Sequence, residues 1–82
     1  MATIASAVNT PFTPAATPFY AQVTGGVAIL QSRGNGAAAW SAGKPIGPAS
    51  ENGGAMIVQN PVAAVDYQFV AVSGTPVVLA TQ

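Results

Sequence analysis

The chain has 82 residues, no cysteine and no histidine, and four side chains charged at neutral pH (Arg33, Lys44, Glu51 and Asp66), giving a formal net charge of zero. This excludes a disulfide framework and a zinc site of the usual His/Cys kind, and two basic residues cannot supply the phosphate contacts that dominate nucleic-acid binding. One domain of this size buries only about 60% of the surface of its unfolded chain, and a freely soluble domain usually has about 25–35% charged surface, so much of the surface is expected to face protein in a homo-oligomer or larger assembly.

Residues 1–10, MATIASAVNT, hold an apolar patch with no basic region before it, and Asn9, Thr10 and Pro11 end it short of a signal-peptide core. No run approaches the roughly 18 apolar residues of a membrane span, so no membrane partner is expected and the chain reads as made and retained in cytoplasm. Pro11, Pro14 and Pro18 punctuate residues 1–18 and bias their predecessors toward extended backbone. The segment is therefore expected to be an extended Pro/Ala/Thr-rich arm, separate from a β-domain over residues 19–82. Fully stretched it reaches about 55–60 Å, enough to lie across a neighbouring subunit. Pro11, Phe12, Pro14 and Pro18 are the expected subunit contacts, with Ile4, Val8 and Phe12 favouring order on assembly. The competing reading is a frayed chain end. Pro11 and Pro14 also have the spacing of a polyproline ligand, but without a flanking basic residue.

From Phe19 onward the pattern is strand and turn. FYAQVT (19–24) alternates with period two. Gly25-Gly26 then has the make-up of a tight hairpin connection into VAILQSR (27–33). AAAWSAGKPI (37–46), broken or bulged near Gly43, leads to a loop over 47–54 whose Asn52-Gly53 step favours a turn. AMIVQN (55–60), YQFVAVS (67–73) and PVVLATQ (76–82) follow, the last two joined by Gly74-Thr75-Pro76. About six short strands without helical periodicity predict an all-β fold, a small antiparallel β-sandwich or barrel with the N-terminal arm. The expected inward residues are Phe19, Ala21, Val23, Ile29, Trp40, Ile57, Tyr67, Phe69, Ala71, Val78 and Leu79. Ala28, Leu30, Met56, Val58, Val70 and Val72 would occupy a second face that could meet another subunit.

Chemistry is sparse. Glu51 and Asp66 are far apart in sequence with nothing to bring them together, and a serine or threonine nucleophile has no histidine base. No calcium-type cluster of oxygen ligands is visible. Catalytic, cofactor-binding and metal residues are accordingly all expected to be none, and the chain is not expected to be an enzyme. Gly34-x-Gly36-x-x-Ala39 imitates a dinucleotide fingerprint, but WSAGKPIGP follows where a helix should run. Those glycines are expected to turn a hairpin, and the neighbouring alanines to make room for Trp40 as the largest core residue. Trp40 could otherwise serve as a stacking platform. In NPVAAVDYQFVAV (60–72), a proline-led loop precedes Tyr67 and Phe69, like the tyrosine corner of fibronectin-type sandwiches. Tyr67 is then structural, its hydroxyl bonding back to upstream backbone.

Taken in order, FYAQVTGGVAILQSRGNGAAAW, ENGGAMIVQNPVAAVDYQFVAVSG and the final strand pair resemble small β-rich virion proteins of tailed bacteriophages over about residues 19–82. The resemblance implies a head decoration or cement protein, made in the host cytoplasm and located in the virion. It would bind the major capsid protein or other virion subunits as a homo-oligomer and stiffen the shell. A receptor- or carbohydrate-binding module of a tail or fibre, using Trp40 and Tyr20, is the alternative.

Overall fold

In the computed structural model, which describes residues 2–34, 37–48, 53–60 and 64–82, two long strands carry the architecture. The elements are β1 (Thr3–Ala5), β2 (Phe19–Gly34), β3 (Lys44–Ile46), β4 (Ala55–Val58) and β5 (Val65–Thr81). The fold is all-β, a five-stranded antiparallel sheet in the order β1-β5-β2-β3, with β4 also pairing β2. β5 lines one edge of β2 from Gly34↔Val65 to Tyr20↔Thr81. The opposite edge is shared, β4 taking Phe19–Gln22 and β3 taking Ala28–Leu30.

The β2–β5 ribbon is folded over on itself. A straight strand from Phe19 to Ser32 would span about 43 Å. Yet Tyr67, the partner of Ser32, has its ring centroid 4.9 Å from that of Phe19. The fold lies at two register shifts, between Thr24 and Gly26 and between Val27 and Ala28. β5 takes the outer track of this corner: Thr24 pairs Val77 and Ala28 pairs Ala71, so β5 uses more residues than β2 to pass it. Gly25 and Gly74 adopt φ of 76° and 66° there, a left-handed backbone that costs glycine nothing. Pro76, with no N–H to contribute, fits at the irregularity rather than in a regular ladder.

The corner reverses which face is inside. Before it, Phe19, Ala21 and Val23 are buried; after it, Ala28 and Leu30 are. On β5, Tyr67 and Phe69 precede the reversal and Val78 and Ala80 follow it. The resulting halves stack as two layers around one core, completed by Ile46, within 30 × 29 × 20 Å.

Residues 2–18 lie along this body. Ala2 and Gln82 exchange backbone hydrogen bonds of 3.0 Å, and Phe12 and Tyr67 exchange a pair of 2.8 Å. Between them the Asn9 N–H donates to the Phe69 carbonyl at 2.7 Å. The segment thus straps the two layers together along the β5 side, with Ile4, Ala5, Val8 and Phe12 against the core. It follows its own sheet instead of extending outward.

Several sequence expectations change. Gly25-Gly26 and Gly74-Thr75-Pro76 are not hairpin turns but the corner of two continuous strands. Ile29 and Leu79 are only half-buried, because the inversion puts their neighbours inside, and Ala71 is exposed. Ala28 and Leu30, expected on a second face, are core. Ile57 is 60% exposed: it pairs Tyr20, and directly opposed residues share a face, here the outward one. Within 37–46 only Lys44–Ile46 is strand. The chain does reverse near Gly34, whose carbonyl accepts from the Ala37 N–H at 2.9 Å, and β3 returns antiparallel to β2. Asn35, Gly36, Glu51, Asn52 and Pro61 lie outside the described residues.

Candidate functional site

The charged residues that are described gather on the layer built from the second half of β2 and the first half of β5. Arg33 and Asp66 are register partners, and the Arg33 Nε–H donates to Asp66 Oδ2 at 3.1 Å. The Thr13 hydroxyl donates to the other carboxylate oxygen at 2.7 Å, so the N-terminal segment reaches this pair. The Arg33 guanidinium carbon sits 4.3 Å from the Trp40 ring centroid, within cation–π range. Trp40 is therefore a half-buried surface ring and not the largest core residue; Ala37, Ala38, Ala39 and Ala42 beside it are exposed. The alanines do not enclose it.

Tyr67 and Phe69 are core residues, as expected. The Tyr67 hydroxyl donates upstream to Asn60 Oδ1 at 3.1 Å, a side chain taking the role expected of backbone. Burial raises its pKa above the ordinary tyrosine value. Asn60 Nδ2 in turn donates to the Ala15 carbonyl at 2.6 Å, and the Gln82 side-chain amide brackets the same residue, accepting from its N–H and donating to its carbonyl, both at 3.0 Å. This network ties β5, Asn60, the N-terminal segment and the end of the sheet. Sequence reasoning missed Thr13, Asn60 and Gln82, whose roles depend on contacts across long sequence separations.

Of the four expected subunit contacts, Pro11 and Pro18 are exposed, Phe12 is half-buried and Pro14 is buried. Phe12 sits among aromatic rings of its own chain, 5.8 Å from Phe19 and Phe69 and 6.0 Å from Tyr67.

A cavity of about 480 Å³ is lined by residues that include Leu30, Ser41, Lys44, Met56, Val58 and Gln59. The other layer, formed by the first half of β2, β4, the second half of β5 and β1, has no charged residue in its strands. Its outward residues include Tyr20, Gln22, Thr24, Ile57, Val77 and Leu79, with Ile57 and Val77 60% and 65% exposed. No group of three or more His, Cys, Asp or Glu among the described residues could hold a metal ion, and among them there is no helix long and apolar enough to cross a membrane. No protein-family model, no curated protein and no solved structure matches the chain.

Proposed function

We propose that the chain is a non-enzymatic structural protein of a tailed-phage virion, a decoration or cement protein that binds and stabilises the head shell. The observation that carries this reading is the surface: 4272 Å² of accessible area on a chain with four charged side chains, two of which, Arg33 and Asp66, are spent on each other. Such a surface suits burial against protein better than solvation alone. The partners are the major capsid protein or other virion subunits, met by the β-domain and by the outward side of the N-terminal segment at Pro11 and Pro18. Phe12 and Pro14 contribute by fixing that segment. The chain should remain with intact particles through density-gradient purification and appear as ordered density on the shell in electron microscopy. Its absence from particles would refute the assignment.

One observation favours a second reading, a receptor- or carbohydrate-binding module: Trp40 lies half-buried at the surface, although Tyr20, on the opposite layer, does not share a site with it. Arg33 occupies one side of the indole, its guanidinium carbon 4.3 Å from the ring centroid. Trp40→Ala should leave the fold intact; loss of glycan binding in that variant would support adhesion over shell binding.

A further inference from the structure

We infer that the uncharged outer face of the layer containing β1 and β4 is a self-association surface, on which a second copy packs face to face about a two-fold axis. The inference deepens the shell reading and rests on it for the setting in which the pair acts.

Three features identify a second copy as the occupant. The strands of this layer bring no charge to the contact, so two identical faces meet without like-charge repulsion, the usual obstacle to self-pairing. The face also carries both halves of a fit. Val77 projects from it at 65% exposure, while Pro18, Phe19, Tyr20 and Ile57 line an almost wholly apolar hollow of about 300 Å³. Val77 is opposite Thr24, four residues along β2 from Tyr20, a separation of about 13 Å. A knob and a hollow at different places on one face become complementary twice over when a two-fold axis relates the copies. Finally, the area suffices. The accessible surface totals 4272 Å², of which the roughly 800 Å² per partner of a standard interface is about a fifth. Sheet-on-sheet packing of this type is already how the chain closes its own core, with apolar residues interdigitating between layers about 10 Å apart.

The isolated full chain should sediment as a dimer at micromolar concentration. Val77→Lys and Ile57→Lys, both at exposed positions, should each weaken dimerisation at least 100-fold with an unchanged circular dichroism spectrum. Ala38→Lys, which adds the same charge to an exposed site on the other layer, should leave the dimer as it is. Because the chain has no cysteine, a Tyr20→Cys/Val77→Cys variant provides a second readout that does not depend on disrupting the face: oxidation should give a covalent dimer joining residue 20 of one copy to residue 77 of the other. A wild-type monomer at millimolar concentration would overturn the inference. So would an open-ended polymer, equal association of all three lysine variants, or cross-links found only within one chain. Particle binding by a chain that stays monomeric would overturn the pairing while leaving the shell assignment intact.

Discussion

Gly26 stands directly opposite Gly74 where the β2–β5 ribbon folds over. A Cβ on Gly26 would collide with the Ser73 carbonyl and lie 3.0 Å from the Pro76 nitrogen, backbone atoms that cannot rotate away. Gly26→Ala should therefore cost about 1–3 kcal/mol, the range for overpacking a filled site. Gly34→Ala is the internal control, since a Cβ there meets nothing within 4 Å; it should change stability by less than about 0.5 kcal/mol. Urea midpoints of the two variants decide the matter, and equal midpoints would contradict the close approach at the corner.

Tyr67→Phe should destabilise the chain by about 1–2 kcal/mol, because it deprives the buried Asn60 carbonyl of its donor. Asn60→Ala combined with it should be less than additive, as expected for two members of one network. The hydroxyl also gives a pH signature. Its pKa is raised in the folded state by burial, while the unfolded chain keeps the ordinary value of about 10.0. The stability associated with the neutral hydroxyl is thus fully present below about pH 10 and is lost as pH rises through the folded-state pKa. Phenolate absorbance in a Tyr20→Phe background, followed against pH, should show a midpoint above 10 in the folded chain.

Arg33→Ala should cost about 2 kcal/mol by leaving a mostly buried carboxylate without its cation. It also uncovers one face of Trp40, the only tryptophan, so intrinsic fluorescence should shift to longer wavelength while far-ultraviolet circular dichroism stays unchanged. An unshifted emission maximum would contradict the stacked arrangement.

Phe12→Ala should lower stability by about 2 kcal/mol, since the ring is half-buried among three other aromatic rings. The N-terminal segment should resist protease in the isolated wild-type chain and become cleavable in this variant. Rapid clipping of the wild-type segment would show that the strap forms only in an assembly.

The sequence makes the strands legible where one rule governs them. Phe19, Ala21 and Val23 alternate inward because that half of β2 has one buried face. Tyr67 and Phe69 follow for the same reason. The pattern becomes ambiguous at VAILQSR, where Ala28 and Leu30 rather than Ile29 face the core. Period two gives the alternation but not its phase after a bulge, and Gly25-Gly26 has the same composition whether it ends a strand or bends one. Trp40 misled for a different reason. A large aromatic ring ordinarily serves a core, but here a guanidinium supplied the cover. Asn60 and Gln82 carry no local signal, since their partners are set by how the ribbon folds and where the N-terminal segment crosses it.

The pairing of β2 with β5 governs how the molecule comes into being. Tyr20 must find Thr81 and Gly34 must find Val65, with β3 and β4 lying between them in sequence. Contact order is therefore high and the entropy of closing large loops precedes most of the reward, a topology that folds in milliseconds to seconds and not in microseconds. During synthesis, β2 emerges long before its principal partner. Its Phe19, Val23 and Leu30 side chains remain uncovered until β5 has followed, making the nascent half-ribbon the point at which chaperone capture or premature association competes with folding.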